Sequence, residues 1–325
     1  MTVNPLISII IPTYNRSKII GATLNSVINQ TYSNWECLVI DDGSTDETEQ
    51  LMVNYMERDA RFKYHKRPTN RPKGANACRN YGFELSKGSL INWFDSDDVL
   101  LPNKLEKQRE LLRNSAYGFA ICQSKKIYRN KGNKETLWNK NIHSNDVLNN
   151  YISFKISWQT GAVLYKKEFL EELQLKFDES LQQSQEYDFH IRLLTKNQNY
   201  AFDTEPLMVV YAHTDSISYS TENLYEKAFS SLGVKKKLLK NKDLELKRPT
   251  KIFLLSDMYR VFFQSTQAKN FKTAWLAYKH FLCAHWYIDI KTKLLFFKNF
   301  SFATVALLSY VFTGKGYRFF KLTIK

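Results

Sequence analysis

Short apolar runs alternate with helical patterns along the first 120 residues of the chain. Continuous apolar runs at 7–11, 37–40 and 90–94, together with a further segment at 62–66, have the length of strands. Between these runs, apolar residues recur every three or four positions, which predicts helices. Strands that alternate with helices build βαβ units, so the pattern predicts an α/β fold with a doubly wound, mainly parallel sheet.

The later part of the chain has a different pattern. Strands at 160–165 and 207–214 and a helix at 186–196 indicate that the sheet becomes mixed. Strand signals then stop, and the remaining sequence is helical, basic and rich in aromatic residues. We therefore predict two domains, one over 1–225 and a mostly helical extension over 226–325.

One helix start can be predicted from residue spacing. Ser44 and Glu47 are three residues apart, as in a capping box, where the two side chains cap a helix N-terminus reciprocally. Asp46 also favours the positive end of a helix dipole. We therefore expect the second helix to begin at Ser44.

Clusters of polar residues follow three of the predicted strands. They occupy 13–16, 41–44 and 95–98, and the last segment holds three aspartates within four residues. The carboxyl ends of parallel strands meet at one edge of a sheet, where ligands bind. Carboxylates this close repel one another unless a cation joins them, although a solvated acidic turn is the simpler alternative. Because three clusters converge on one edge, the pattern favours a divalent cation site.

Known phosphate-binding loops are absent from the sequence. No G-x-G-x-x-G motif follows the first strand, and no G-x-x-x-x-G-K-[ST] motif occurs anywhere. A bound nucleotide diphosphate would therefore have to be met by a metal ion and by a cationic side chain. Arg79 and Lys73 are the candidate cations.

The formal net charge of +15 is distributed unevenly. Residues 1–225 hold 27 basic and 27 acidic residues, whereas residues 226–325 hold 20 and 5. This asymmetry predicts an anionic partner for the C-terminal segment, either a membrane surface or a nucleic acid. The absence of an RNA-binding motif argues against nucleic acid.

The most apolar part of this segment is interrupted. Residues 294–297 are separated from the apolar stretch 299–313 by Lys298, whereas a bilayer span needs about 20 largely uncharged residues. Amphipathic helices that lie on an anionic membrane surface are therefore favoured over a membrane-spanning helix. The alternative is an ordinary helical subdomain with a solvated basic face.

Compartment is predicted from the cysteines and from the N-terminus. The four cysteines are scattered without a C-x-x-C pair, and they are interpreted as reduced thiols rather than as a zinc site or a disulfide framework. The first residues have no basic segment, and their apolar run is too short for a signal peptide. We expect a cytoplasmic protein, peripheral on the cytoplasmic face of the inner membrane.

The ordered motifs resemble those of the inverting family 2 of GT-A glycosyltransferases over about residues 5–215. They are ISIIIPTYNR, LVIDDGSTDET, GANACRNYGFELSKG, INWFDSDDVLLPNKLEKQ and SQEYDFHIRLL. The resemblance implies the GT-A nucleotide-sugar-binding fold, followed here by the helical extension. It also implies a nucleotide-sugar donor, most often a UDP-sugar.

The resemblance assigns a nucleotide-sugar role to residues of the first four motifs. The loop after the first strand would cradle the base, Asp42 would accept from a base N–H, and Arg79 would lie near the diphosphate. The residues implied to bind the nucleotide sugar are Pro12, Thr13, Tyr14, Asn15, Asp41, Asp42, Arg79, Asp95 and Ser96.

The resemblance also implies a divalent metal, Mn²⁺ or Mg²⁺. Asp95 and Asp97 form the D-x-D pair of the family, and the second carboxylate would bind the ion on the diphosphate. Asp98 would support this loop from behind. His213 lies where many relatives carry a histidine that touches the metal or the diphosphate.

The catalytic base of the family is usually the Asp of an E-D pair ahead of an aromatic residue. Here that place reads Gln185-Glu186, so Glu186 is the predicted base, and Asp188 on a different helical face is the alternative. Glu is one methylene longer than Asp, and a shift of about one ångström can cost about 100-fold in rate.

These features together predict a metal-dependent, inverting hexosyltransferase. It would move a sugar from a nucleotide donor to a growing glycan or polyprenyl-linked acceptor in cell-surface polysaccharide biosynthesis. The alternatives are a nucleotide-sugar-binding protein without catalysis and a nucleotidyltransferase.

Overall fold

The computed structural model of the chain describes residues 4–128, 132–212 and 224–313. The described residues form two compact units. The first lies within 1–180 and 185–220, and the second within 181–184 and 221–325. The division into a catalytic domain over 1–225 and a helical extension over 226–325 stays a prediction.

The first unit is built on a mixed sheet with helices between its strands. The strand order is β3-β2-β1-β4-β8-β6-β9-β5, and β7 pairs with β6. The strands are β1 Ile7–Thr13, β2 Trp35–Asp41, β3 Phe62–Lys66, β4 Leu90–Trp93, β5 Val99–Leu100, β6 Phe119–Tyr128, β7 Lys134–Leu137, β8 Val163–Lys166 and β9 Ala201–Ala212. The helices are α1 Ile20–Ile28, α2 Thr48–Arg58, α3 Ala75–Leu85, α4 Lys104–Leu112, α5 Val147–Ile152, α6 Lys167–Glu172 and α7 Gln185–Lys196.

The parallel half of the sheet follows from the apolar runs. Every residue of β1 and β2 is buried, as expected for central strands that are covered on both faces. These strands pair in parallel with each other, and β3 and β4 flank them in parallel. Helix α3 lies close to this block at Gly82, where an added Cβ would be 2.3 Å from Ile10 Cγ2. The predicted α/β fold with a mixed sheet is confirmed.

The predicted capping box at Ser44 is wrong. Helix α2 begins at Thr48, and Glu47 makes no side-chain cap. The Ser44 hydroxyl instead donates to Asp41, which fixes the turn after β2. Asp46 accepts from the amide and the hydroxyl of Thr48 at the helix start. Local competition for the serine hydroxyl therefore shortens the helix by one turn.

The second unit is helical in its described part. Its helices are α8 Leu224–Lys240, α9 Arg248–Gln267, α10 Phe271–Ala284 and α11 Ile290–Thr313. Aromatic side chains such as Phe262 and Phe281 fill its core, and Lys235 and Asp257 form a 2.7 Å ion pair. Within the described residues, no helix has the length and the apolar character needed to cross a membrane.

Candidate active site

Three polar clusters lie at the same edge of the sheet because the strands that precede them are parallel. Strand β1 ends at Thr13 and β2 ends at Asp41, which are paired in the sheet register. Strand β4 runs parallel to β1 and leads into the loop that begins at Phe94, whose amide donates to Ile10. This edge therefore collects the side chains that the sequence singled out.

Arg79 joins two of the motifs at this edge. It lies on α3, is buried, and donates from Nη2 to Asp95 Oδ1 over 2.7 Å. Its Nη1 contacts Gln185 Oε1 at 3.3 Å, at the start of α7. The guanidinium thus links the D-x-D loop directly to the helix that carries the predicted base. Arg79 is brought together with Asp95, as predicted.

Asp95 and Asp97 present carboxylates that are partly exposed. Their side chains are 34% and 24% exposed, and Asp97 Oδ2 lies 4.0 Å from Arg16 Nη2. Asp98 differs from both because it is buried, and the backbone N–H of Tyr211 donates to its carboxyl. Burial, followed by the charges of Asp95 and Asp97, raises the pKa of Asp98 well above its ordinary value. Asp98 therefore belongs to the interior of the loop.

The donor atoms of this loop suit a hard divalent cation. Mg²⁺ is usually held by one or two carboxylates together with substrate phosphates rather than by a cage of protein ligands. The pair Asp95 and Asp97 provides two such carboxylates. No group of three or more His, Cys, Asp or Glu side chains within the described ranges could hold a metal by itself. His213, the third predicted ligand, lies outside the described residues.

The loop after β1 is tied to the turn after β2. Asn15 has a positive φ of 51°, its backbone N–H donates to Ser44 Oγ, and its side-chain oxygen accepts from the amide of Thr45. Pro12 and Thr13 are buried in the sheet, whereas Tyr14 is 49% exposed. The loop is therefore held at its base by these hydrogen bonds and presents one aromatic ring to solvent.

The two carboxylates of the D-D-G-S turn have different surroundings. Asp41 is buried and accepts from Tyr64 and from the amide and hydroxyl of Ser44. Asp42 forms an ion pair with Arg67. Ser96, in the D-x-D loop, is buried. Asp41 therefore holds the turn, while Asp42 stands beside a cation.

Sequence reasoning missed Arg67. This arginine directly follows β3, and its guanidinium also donates to the carbonyls of Pro68 and Arg71. The strand-end rule that identified the other clusters would have found it, because β3 is parallel to β2 and ends at the same edge.

Glu186 is held by one neighbouring residue. The amide and the hydroxyl of Thr160 donate to Glu186 Oε2 over 3.2 and 3.3 Å. None of the described residues hydrogen-bonds to Oε1. Burial, followed by the charge of Asp95, raises the pKa of Glu186 to about 6, while the Thr160 hydrogen bonds and Arg79 oppose this rise. One carboxylate oxygen of Glu186 is thus anchored by Thr160, and the other is not.

Asp188, the alternative base, has a structural partner. Its Oδ2 accepts from Arg192 Nε over 2.8 Å, one turn further along α7. The Asp188 side chain is 9% exposed. The two carboxylates of this helix therefore face different surroundings, as their spacing predicts.

Behind Glu186, α7 is fixed by a buried hydrogen-bond network. His190 lies one turn after Glu186, and its ring nitrogens contact the hydroxyls of Tyr151 and Tyr165 at 2.8 and 2.9 Å. Burial lowers the pKa of His190 to about 3, so the ring is neutral. A neutral imidazole donates one hydrogen bond and accepts one, which both tyrosines can satisfy.

Two buried polar atoms precede Thr160 in the chain. Gln159 Oε1 and Trp158 Nε1 have no hydrogen-bond partner within the part of the chain that the structure describes. Such atoms are rare in folded proteins, because leaving them unpaired costs about 1–3 kcal/mol. The Trp158 ring packs against Tyr151, His190 and Tyr200, so it belongs to the core behind the site.

Comparison with known proteins identifies the family of this site. Residues 8–173, just over half of the chain, match the model of Glycosyl transferase family 2. The chain belongs to this family. An uncharacterized glycosyltransferase of Rickettsia typhi is 30% identical over 285 residues, which cover 84% of this chain and 85% of the relative.

A second relative has an activity stated in its name. The UDP-Glc:alpha-D-GlcNAc-diphosphoundecaprenol beta-1,3-glucosyltransferase WfgD of Escherichia coli is 40% identical over 115 residues. The match covers 35% of this family 2 chain and 44% of WfgD. The similarity is therefore high within a limited segment.

Solved structures share the fold at low sequence identity. Staphylococcus aureus TarS 1–349, in complex with UDP-GlcNAc, aligns with a TM-score of 0.69 at 18% identity, covering 96% of this chain and 89% of TarS. The mannosyltransferase PcManGT of Pyrobaculum calidifontis, in complex with GDP-Man and Mn²⁺, aligns with a TM-score of 0.53 at 18% identity. That alignment covers 98% of this chain and 86% of PcManGT. The GT-A fold predicted for this chain is confirmed.

Proposed function

We propose that this family 2 glycosyltransferase moves a hexose-type sugar from a UDP-sugar to an acceptor hydroxyl, with inversion at the anomeric carbon. One observation carries the proposal. Arg79 contacts both Asp95 and Gln185, the residue before Glu186, which supports a donor loop and a base that act at one place. Direct sugar transfer requires positive charge at the departing diphosphate, which a cation held by two carboxylates would supply, and a third carboxylate that accepts the proton.

Glu186 acts as the general base. The ionised carboxylate accepts the proton of the acceptor hydroxyl at Oε1. In the same step, the oxygen of this hydroxyl attacks the anomeric carbon. The glycosidic bond to the nucleoside diphosphate breaks in the same step, so the configuration inverts. Thr160 holds the other carboxylate oxygen, which orients Glu186 for this transfer.

Asp95 and Asp97 would hold a Mn²⁺ or Mg²⁺ ion, which when bound offsets the negative charge that develops on the leaving diphosphate. PcManGT, with the same fold, binds GDP-Man together with Mn²⁺. Arg79 adds a fixed positive charge beside Asp95. Tyr14 and Asp42, at the ends of β1 and β2, flank the expected position of the nucleotide base.

The acceptor is a growing glycan or a polyprenyl-linked sugar in bacterial surface polysaccharide synthesis. WfgD, which shares the most similar segment described above, acts on a diphosphoundecaprenol-linked sugar. A cytoplasmic location at the inner membrane would give access to both substrates.

Transfer can be tested with purified full-length protein, a panel of UDP-, GDP- and dTDP-sugars, and lipid-linked acceptor extract. With one class of donor, we expect release of nucleoside diphosphate and a new glycosidic linkage whose anomeric configuration is opposite to that of the donor. EDTA should abolish the release of nucleoside diphosphate. Donor binding without any product would support the non-catalytic binding protein instead. Release of pyrophosphate rather than nucleoside diphosphate would indicate a nucleotidyltransferase.

A further inference from the structure

The last described helix, α11, has an apolar face that is exposed to solvent. Ile290, Leu294 and Phe297 are 67–68% exposed, and Val305 and Leu308 are 51% and 52% exposed. These residues are three, four or seven to eight positions apart, so they share one face of the helix. We call these five residues the α11 stripe. Scattered apolar residues on a surface are ordinary, but five large apolar side chains on one helix face, interrupted at Ser301, mark a contact surface.

The opposite face of α11 packs into the second unit. Phe296 is 1% exposed and lies against Phe281, with ring centroids 6.1 Å apart. Thr292, four residues before Phe296 and therefore on the same face, is also buried. These contacts fix which side of the helix faces inward. The α11 stripe therefore faces away from the core of its own unit.

Positive charge borders the α11 stripe on both sides. Lys291 is one turn from Leu294 on one side, and Lys293 is one turn from Ile290 and Phe297 on the other. The sequence of α11 contains no acidic residue. Trp286, four residues before the first residue of the helix, is 81% exposed, and Asp289 lies between them in the chain. An apolar row with lysines at its edges and an exposed tryptophan at its end matches the interface of a bilayer, where lysines extend their charge towards headgroups.

We propose that the α11 stripe binds the surface of an anionic membrane. The bordering charges distinguish this partner from a second copy of the chain, because two copies packed along this face would bring lysines against lysines. Residues 226–325 carry 20 basic and 5 acidic residues, so the whole segment is attracted to negative headgroups and repelled by itself. The proposal concerns binding alone and holds whether or not the proposed sugar transfer is correct.

The test measures co-sedimentation of the full-length protein with vesicles, in the absence of sugar nucleotide. Phosphatidylcholine vesicles are compared with vesicles that also contain phosphatidylglycerol. We expect binding to the anionic vesicles, weakened by added salt, and at least tenfold less binding to phosphatidylcholine alone. Equal binding to both kinds of vesicle would overturn the proposal.

A pair of double variants tests whether vesicle binding depends on the α11 stripe or on any exposed apolar side chains. L294S/F297S should lower anionic-vesicle binding at least tenfold, since it removes the apolar contact. The control L137S/F202S removes one exposed leucine and one exposed phenylalanine from the first unit and should bind like the parent. Equal loss in both pairs, or none in either, would contradict the assignment.

A second pair tests charge without touching an apolar contact. K291S/K293S should weaken binding several-fold more than K240S/K242S, which removes two exposed lysines elsewhere in the second unit. Donor hydrolysis by L294S/F297S should equal that of the parent, so a failure of vesicle binding is separable from a failure of catalysis. Conversion of a dimer to a monomer by L294S/F297S, without vesicles, would assign the α11 stripe to a second copy instead.

Discussion

The two units of this glycosyltransferase depart from ordinary globular structure in opposite ways. In the first unit the unusual groups are polar and partly or fully buried, such as Arg79, Asp98 and Glu186. In the second unit they are apolar and exposed, such as Leu294 and Phe297. Burying a charged group lowers the stability of a fold, and exposing a row of apolar side chains leaves them in unfavourable contact with water. Neither feature is therefore explained by the stability of the fold. The first departure fits a small charged ligand, whereas the second fits an extended apolar surface.

The largest effect expected is that of removing the proposed base. E186Q keeps the size of the side chain but cannot take a proton, so transfer should fall about 100- to 10,000-fold. Donor binding should change little, because Glu186 does not belong to the donor loop. Steady-state transfer and equilibrium donor binding measure the two effects separately.

D188N is the matched control for E186Q. It removes one carboxylate from the same helix, but this carboxylate is paired with Arg192. We expect lower thermal stability with transfer within about tenfold of the parent, which is below the usual contribution of a general base. Loss of transfer in D188N together with normal transfer in E186Q would reassign the base.

The next effect concerns the donor loop. D97N removes one of two carboxylates proposed for the metal, and transfer should fall about 100-fold or more, as for other losses of charge stabilisation. Stabilisation of the protein by Mn²⁺ in a thermal-shift experiment should also decrease, which gives a readout besides activity. D243N, an exposed aspartate of the second unit, is the control, and an equal Mn²⁺ response in parent and D97N would refute the role.

The sequence predicted the parallel part of the sheet because its strands are continuous apolar runs. It did not predict β5 or β7, since β5 has two residues and all four residues of β7 are exposed. Such strands carry no period of burial, and their existence depends on a neighbouring strand. Long-range pairing, which no local pattern encodes, therefore accounts for these misses.

The candidate site also combines features that the sequence predicted with features that it did not predict. Strand-end clusters could be located from sequence because parallel strands end at one edge, and Arg79 was found beside Asp95 as expected. The partners of individual side chains could not be predicted, because they come from distant segments. Thr160 reaches Glu186 across 26 residues, and Arg67 reaches Asp42 across 25. Whether these groups act as assigned stays a prediction.

A third effect concerns stability and its pH dependence. The pKa of Glu186 is raised from 4.5 to about 6, so the folded protein binds this proton more tightly than the unfolded chain. The ionised carboxylate therefore destabilises the fold above about pH 6, by about 2 kcal/mol at most, and this cost disappears below the unfolded pKa. E186Q should accordingly be more stable than the parent at pH 8 and equal at pH 4. Chemical denaturation at both pH values measures this, and an unchanged difference between them would show that burial of the charge has no cost.

The smallest effect is expected from the residue that anchors the base. T160V keeps the backbone donor but loses the hydroxyl that donates to Glu186 Oε2, whereas T160S keeps both. Hydrogen bonds to a carboxylate favour its ionised form, so the pKa of Glu186 should rise in T160V. Since only the ionised base accepts a proton, the acidic limb of the pH–rate profile should move to higher pH, with a loss of only a few-fold at high pH. T160S should restore the parent profile. A uniform loss of rate at every pH, without movement of the acidic limb, would mean that Thr160 supports the local fold rather than the charge of Glu186. The pH profile therefore distinguishes a packing role of Thr160 from an electrostatic one.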